Sequence, residues 1–228
     1  MKMKGMGKRN ASKYPCGGEL GMNPWTQMWL NYFPRAAKGN EAYFEKYRLD
    51  GFEKEHYVIR SALTELECGI RGMLVLPPPV HSSLAQAEKG TFVIRRISEA
   101  GSGVKTEGYH LKEQDGRLFL MAVEEKGVLS GVFDLLRRIA MEESLKGVDV
   151  LCNPDNPNRM LNHWDNMDGS IERGYSGESF FFAENEILVN ERTRDYARFV
   201  ASVGLNGVVI NNVNVKDAAT YLITERYF

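Results

Sequence analysis

Apolar residues recur at every third or fourth position in three stretches of the chain, residues 59–73, 129–140 and 193–204. This spacing places them along one face of a helix, so the sequence predicts three amphipathic helices. Asn190 is a candidate N-cap for the third helix, and Gly204 is the residue at which that helix stops.

A different pattern, with short apolar or alternating runs, predicts strands in the first two thirds of the chain. The predicted strands are residues 57–59, 91–97, 108–112, 117–123 and 148–151. Asp115-Gly116 lies between two of these runs, and Asp-Gly at such a place is typical of a tight β-hairpin. A sheet with a hairpin and two covering helices is therefore expected here, which is an α+β arrangement.

The last third of the chain repeats a strand-then-helix order. Residues 160–161 and 206–215 are apolar strands, the third helix lies between them, and a further helix is predicted after Asp217. This order indicates βαβ units with parallel strands. Each strand runs into a polar cluster, and because the strands are parallel the two clusters are expected at one edge: His163, Trp164, Asp165 and Asn166 follow the first strand, and Asn211, Asn212, Val213 and Asn214 end the second.

Residues 153–158 separate the two regions, since they are rich in Pro, Asn and Asp and lack apolar anchors. We therefore predict a flexible leader over residues 1–18, an α+β domain over residues 19–151 and an α/β segment over residues 152–228. The leader is rich in Gly and Lys and shows little periodicity.

The first polar cluster has the chemistry of a sugar site. Trp164 offers a flat apolar face that suits a sugar ring, while His163, Asp165 and Asn166 offer donors and acceptors for its hydroxyl groups. A polar loop that holds one half-buried tryptophan is the alternative interpretation of the same residues.

Charge and cysteine content narrow the classes of function. The formal net charge of −1 and the scattered Lys and Arg residues do not suggest a nucleic-acid-binding surface, and no apolar run is long enough to span a bilayer. Cys16, Cys68 and Cys152 are widely spaced and fit no zinc pattern with the histidines. We interpret them as free thiols, which favours a reducing compartment and a cytoplasmic location.

One long run in the chain also resembles a known family. The run RMLNHWDNMDGSIERGY at residues 159–175 resembles the first barrel strand and loop of the family 67 glycoside hydrolases, the α-glucuronidases of xylan breakdown. The run RDYARFVASVGLNGVVINNVN at residues 194–214 is similar to the second unit of that family. The resemblance covers most of residues 25–228 and departs from the family pattern at Glu178, where a basic residue is expected.

The resemblance implies a fold and an activity. The fold is a small α+β N-terminal domain, with a mixed sheet and helices, followed by the truncated start of a (β/α)8 TIM barrel. The activity is hydrolysis, with inversion, of the α-1,2 bond that joins glucuronic acid or its 4-O-methyl form to xylo-oligosaccharides. The substrate is thus a xylo-oligosaccharide or aldouronic acid, and no cofactor, nucleic acid or membrane is implied.

The resemblance also implies roles for single residues. Trp164 forms an apolar wall of the sugar pocket, and Asn212, Val213 and Asn214 line it from the neighbouring strand. The catalytic carboxylates are expected on later barrel strands, downstream of Phe228, so the chain alone should be inactive.

Three alternatives remain open at this point. Asp165 and Glu172 are candidates for a local acid and base, although they crowd one strand end and its loop. The chain is otherwise a non-catalytic carbohydrate-binding or interaction protein derived from the enzyme. A homo-oligomer is a further open arrangement.

Overall fold

A computed structural model describes residues 31–83 and 87–210 of the chain. Its first part is built on a six-stranded sheet in the order β2-β1-β3-β5-β4-β6. These strands are β1 (Lys46–Asp50), β2 (Val80–His81), β3 (Thr91–Arg96), β4 (Tyr109–Gln114), β5 (Arg117–Ala122) and β6 (Asp149–Cys152). Strands β2, β1, β3 and β5 are parallel to one another, whereas β4 runs antiparallel to both β5 and β6, so the sheet is mixed as predicted.

The predicted hairpin is confirmed. Strands β4 and β5 pair from Tyr109↔Ala122 to Gln114↔Arg117, which leaves a two-residue turn of Asp115 and Gly116. Both turn residues have positive φ, 54° and 75°. A turn of that kind has a twist that matches the twist of the two strands, and Gly reaches such angles at little cost.

Two long helices cover one face of the sheet, α1 (Tyr57–Met73) and α2 (Glu125–Ala140). They pack closely where Gly69 of α1 faces Leu136 of α2, because a Cβ atom at Gly69 would lie 2.3 Å from a Leu136 methyl group. Beneath them lies a core of fully buried side chains from both layers, which include Ile59, Ile70, Ile94, Leu111, Leu120 and Leu135. Helical periodicity therefore predicted both elements correctly.

Two predictions for this part are wrong. Residues Tyr57 to Ile59 are not a strand, since α1 already begins at Tyr57 and Ile59 is buried on its apolar face. Cys68 is not a free thiol, because it is disulfide-bonded, whereas Cys152 is free and exposed. Cys16 lies outside the described residues. The cytoplasmic location stays a prediction, and its premise of three free thiols no longer holds.

The second part contains the predicted parallel strands and the helix between them. Its elements are β7 (Met160–Asn162), β8 (Phe182–Ala183), β9 (Glu186–Ile187), α3 (Glu191–Ser202) and β10 (Gly207–Val209). Strands β7 and β10 are parallel, and β8 and β9 form a short antiparallel pair. Asn190 caps α3 as predicted: its side chain accepts a bond from the Thr193 N–H, and the Thr193 hydroxyl oxygen accepts one from the Asn190 N–H.

Other sequence-based predictions fall on residues that the structure does not describe. These are the leader over residues 1–18, the end of the second strand at residues 211–215 and the last helix. The division into domains likewise stays a prediction, although β6, the last strand of the mixed sheet, ends at Cys152, next to the predicted boundary. Within residues 31–83 and 87–210, no helix is both long enough and apolar enough to cross a membrane.

Candidate sugar-binding site

The predicted site lies on the loop that follows β7, and this loop is folded tightly on itself. The N–H of Asn166 donates to the carbonyl of Ser170, and the N–H of Gly169 donates back to the carbonyl of Asn166. Gly169 has a φ of 91°, which a side chain would resist, so the predicted Asp168-Gly169 turn is present. Isolated bridges from Asp165 to Ile171 and from Ser170 to Glu178 close the loop.

Asn166 is the residue that holds this loop together. It is only 4% exposed, and its side-chain amide donates to the hydroxyl of Ser170 and to the carbonyl of Glu172. Its Oδ1 atom is buried and has no partner among the described residues. Asn166 therefore acts as a structural residue of the loop.

Trp164 and Asp165 are neighbours with opposite environments. Trp164 is 47% exposed, so part of its ring is open to a ligand. Its carbonyl accepts a 2.7 Å bond from the Glu172 N–H, which fixes the backbone that carries the ring. Asp165 is only 3% exposed, and the nearest ring nitrogen is Nδ1 of His163, at 3.7 Å from a carboxylate oxygen. That distance is too long for a hydrogen bond, so this partner leaves acceptor capacity on the Asp165 carboxylate.

His163 joins the strand end to helix α3. Its backbone N–H donates to the carbonyl of Val209 on β10 at 2.7 Å, and its Nε2 atom is hydrogen-bonded to the hydroxyl of Tyr196. The imidazole also packs edge-on against the rings of Phe180 and Phe181. Burial, and next the negative charge of Asp165, raise the pKa of Tyr196, so this hydroxyl keeps its proton at neutral pH.

The other two carboxylates of the loop are engaged by their own neighbours. Asp168 accepts bonds from the hydroxyl and the N–H of Ser170 at 2.6 and 3.0 Å. Glu172 accepts a bond from the hydroxyl of Ser176, and its hydrogen bond to Tyr175 raises the pKa of that phenol. These contacts give Asp168 and Glu172 a role in shaping the loop.

Sequence reasoning missed three aromatic residues of the site. Phe180, Phe181 and Tyr196 surround His163, and Phe181 is buried in a small apolar cluster with Met167 and Phe182. The run of three phenylalanines at residues 180–182 was the available signal, whereas Tyr196 looked like an ordinary apolar-face position of α3. The predicted residues Asn212, Val213 and Asn214 lie outside the described part of the chain, so their roles stay predictions.

Two further observations on the described residues concern where else a ligand could bind. A cleft of about 260 Å³ lies beside α1 and is lined by Tyr47, Arg60, Leu63 and their neighbours, none of which belongs to the predicted site. Among residues 31–83 and 87–210, no group of three or more His, Cys, Asp or Glu side chains could hold a metal ion.

Comparison with known families gives two matches that together extend over most of the chain. Residues 28–135 match the glycosyl hydrolase family 67 N-terminus, and residues 138–228 match the glycosyl hydrolase family 67 middle domain. The boundary between the two matches lies about fifteen residues before the one predicted from composition.

Curated relatives carry the same family signal. The chain is 35% identical over 167 residues to a probable alpha-glucuronidase A of Aspergillus terreus, across 68% of this chain and 20% of that protein. It is 32% identical over 223 residues to an alpha-glucuronidase of Hypocrea jecorina, across 90% of this chain and 26% of that protein. The chain thus spans about a fifth to a quarter of the length of these relatives.

Among solved structures, the fold is similar to a GH138 enzyme targeting pectin rhamnogalacturonan II. The TM-score is 0.50 at 10% sequence identity, across 80% of this chain and 21% of that chain. At this identity the likeness concerns the fold alone.

Proposed function

Because the chain belongs to glycosyl hydrolase family 67, we propose that it is the N-terminal part of an α-glucuronidase. The complete enzyme releases glucuronic acid, or its 4-O-methyl form, from the α-1,2 bond of xylo-oligosaccharides, in xylan degradation. In this proposal β7, α3 and β10 begin a (β/α)8 barrel, whose active face lies at the carboxyl ends of its strands.

The pairing of Trp164 with Asp165 carries this proposal. A half-exposed indole beside a buried carboxylate with spare acceptor capacity combines the two features that sugar recognition needs, an apolar face and directed acceptors. Both residues come directly after β7, where a parallel strand presents side chains to a ligand. In the proposed complex Trp164 packs against the face of the uronic acid, and Asp165 accepts hydrogen bonds from its hydroxyl groups.

We assign this chain a role in binding and orientation, and the proton transfers to later parts of the complete enzyme. An inverting glycosidase needs a carboxylic acid at the leaving oxygen and a carboxylate behind the attacking water, about 6.5–9.5 Å apart. Asp168 and Glu172 are held by Ser170, Ser176 and Tyr175 in positions that serve the loop. We therefore assign Asp168 and Glu172 to the structure of the loop rather than to a catalytic pair with Asp165.

A second candidate is a non-catalytic carbohydrate-binding protein that uses the same strand ends. The engaged state of Asp168 and Glu172 favours it, because sugar binding needs Trp164 and Asp165 but no acid–base pair. The two candidates agree on the ligand and differ on whether further βα units complete a catalytic site.

The test measures binding and turnover separately on the 228-residue chain. Aldouronic acid should shift the indole N–H resonance of Trp164 in a ¹H–¹⁵N spectrum. The substitution Trp164→Ala should lower the affinity for aldouronic acid at least tenfold. Tyr57→Ala is the matched control, since Tyr57 is a 69% exposed aromatic residue at the start of α1, away from this loop. It should leave the affinity unchanged.

Turnover distinguishes the roles of the carboxylates. The chain alone should release no glucuronic acid above background, whereas a longer form that includes the following units should turn over if the chain is part of an enzyme. Release by the chain alone that is lost in Asp165→Asn or Glu172→Gln would make the local carboxylates catalytic. An unchanged affinity in Trp164→Ala would contradict the proposed sugar site.

A further inference from the structure

Glu107 has an unusual backbone conformation in the turn that leads into β4. Its φ is 63°, in the left-handed region that favours glycine. The neighbouring Gly108 is needed for a different reason, because a Cβ atom there would lie 2.2 Å from the Asn153 side chain and 2.9 Å from the Cys152 carbonyl. The glycine is therefore required for a close approach, and the strained angle falls on a residue with a large side chain. Such strain persists where surrounding contacts demand it.

Those contacts are made by the Glu107 carboxylate. The side chain is only 12% exposed and accepts hydrogen bonds from Lys126 of α2, Arg159 and Asn206, at 2.9, 2.9 and 3.0 Å. Burial favours the protonated form of Glu107, but the three donors outweigh it and lower the pKa of the carboxyl group. The group is thus an ionised acceptor with a full set of partners.

Two of the three donors lie immediately before the two strands of the parallel pair, β7 and β10. Arg159 immediately precedes β7, and Asn206 immediately precedes β10. They also bind each other: the Asn206 N–H donates to the Arg159 carbonyl at 2.8 Å, and the Arg159 N–H donates to Oδ1 of Asn206 at 3.0 Å. Further bonds from the Arg159 guanidinium to the carbonyls of Gly204 and Asn156 fix the same corner.

This corner lies where the register of β7 and β10 begins. The pairing runs from Gly207↔Met160 to Val209↔Asn162, and the next link is the His163 N–H to the Val209 carbonyl. A strand that slips by one residue turns every side chain to the opposite face. A fixed start therefore decides where the side chains at the far ends of both strands point.

We propose that Glu107 is a positioning residue, which anchors the starts of β7 and β10 to the six-stranded sheet and thereby sets the orientation of His163, Trp164 and Asp165. What those side chains bind rests on the proposed function, but the anchoring does not. The alternative is that Glu107 is an ordinary turn residue whose side-chain contacts are incidental.

The substitution Glu107→Gly distinguishes these two roles, because they predict opposite results. It relieves the strain of the left-handed angle, which benefits a turn residue, and it removes the carboxylate, which a positioning residue needs. A turn residue should tolerate this change, and exchange at the His163 amide should stay the same or slow down. A positioning residue should not: we expect exchange at the His163 amide to accelerate at least tenfold and the Trp164 indole resonance to move, while amides of β3 and β5 keep their protection.

Glu184→Gly is the matched control, since Glu184 is an exposed glutamate with a φ of 51° in the turn between β8 and β9. It should leave exchange at His163 unchanged or slower. If Glu107→Gly does not fold, Glu107→Gln keeps the length and the backbone angle while it removes the charge, and a three- to tenfold acceleration is expected.

An exchange rate at His163 in Glu107→Gly that matches wild type or Glu184→Gly would overturn the proposal, and so would an unchanged rate in Glu107→Gln. Because these readouts need no ligand, they are independent of sugar binding. A chain that binds no aldouronic acid but shows the expected exchange pattern would contradict the proposed function and support the positioning role.

Discussion

The two parts of the molecule are stabilised in different ways. The six-stranded sheet and its two helices enclose a large core of fully buried side chains, whereas the part around β7 and β10 has a small apolar cluster of Met167, Phe181 and Phe182. Each fully buried large apolar side chain contributes about 1.5–3 kcal/mol. The first part therefore contains most of the stabilising apolar burial, and we expect the second part to depend more on its contacts with the first.

Polar contacts between the two parts supply much of that dependence. One junction is Glu107 with Arg159 and Asn206. The other lies where Arg198 of α3 makes a two-pronged ion pair with Glu65 of α1, and Tyr32 donates to the same carboxylate at 2.8 Å. Burial, followed by the charge of Glu65, raises the pKa of Tyr32. Burial acts against the charge of Arg198, but the Glu65 contacts outweigh it and raise the pKa of the guanidinium.

Breaking the Glu65–Arg198 pair should have the largest effect on this comparison. Glu65→Ala leaves Arg198, whose side chain is 31% exposed, with its ion pair to Asp195, so we expect a cost of up to about 3 kcal/mol, the lower end for breaking a buried pair. We expect the loss to appear mainly as faster amide exchange in α3 and β10, with β3 and β5 less affected. Denaturant unfolding measures the loss in unfolding free energy, and hydrogen exchange measures the amide exchange rates.

Two further variants control this experiment. Replacement of both partners, Glu65→Leu with Arg198→Met, should recover part of the lost stability, because the two paired charges leave together while Asp195 loses its bond to Arg198. Lys46→Ala removes an exposed pair with Glu88 and should change the stability little, because solvent screens that pair. Equal losses in α3 and β3 after Glu65→Ala would show that the two parts unfold as one unit.

Core packing between the helices should give the next largest effect. Gly69→Ala improves helix propensity by about 1 kcal/mol, but its methyl group would collide with Leu136, and overpacking costs about 1–3 kcal/mol. We expect a net loss of stability of about 1 kcal/mol, confined to the first part. Thermal unfolding checks it, and Leu136→Ala in the same background should relieve the collision. A net gain in Gly69→Ala would mean that the helices separate freely.

Local periodicity predicted the elements whose structure depends on neighbouring residues. The hairpin at Asp115-Gly116 and the Asn190 cap of α3 follow from short-range chemistry, so they could be found in the sequence. Strand β1 was missed because Lys46, Arg48 and Asp50 give it a polar composition, although they alternate with Tyr47 and Leu49 at the period of a strand.

The contacts that position the site are long-range and left no local signal. His163 meets Tyr196 across 33 residues, and Glu107 meets Arg159 and Asn206 across 52 and 99 residues. Trp164 and Asp165 were recognised as candidates from their own chemistry, and Asn166 was recognised as polar. That Asn166 holds the loop could not be predicted, because its partners depend on how the loop folds.

The pH dependence of the Glu107 contacts tests the junction between the two parts of the molecule. The expected change in unfolding free energy is smaller than in the experiments above. Because the folded pKa of Glu107 is lowered, its stabilising contribution is fully present above the unfolded value of about 4.3 and is lost as pH falls through the folded pKa. The difference in unfolding free energy between wild type and Glu107→Gln should therefore be constant near neutral pH and shrink below about pH 4. Denaturant unfolding at several pH values measures it. A difference that grows on acidification would contradict this sign.

The smallest effect concerns strain that the first part tolerates. Val75 stands just after the C-cap residue Leu74 of α1, with a φ of 56° and 71% of its surface exposed. Helices commonly place glycine at this position, because a left-handed β-branched residue costs about 1–2 kcal/mol. Val75→Gly relieves that strain and loses little packing, but glycine also gains freedom in the unfolded chain. We expect a net stabilisation of about 1 kcal/mol, or about 2–4 °C in the melting temperature.

Val80→Gly is the matched control, since Val80 is similarly exposed but lies in strand β2, where glycine should destabilise. A destabilising effect of Val75→Gly would contradict this prediction. It would mean that the left-handed angle at residue 75 is needed to direct the chain after α1. The first part would then depend on a strained position, as we propose for the second part and Glu107.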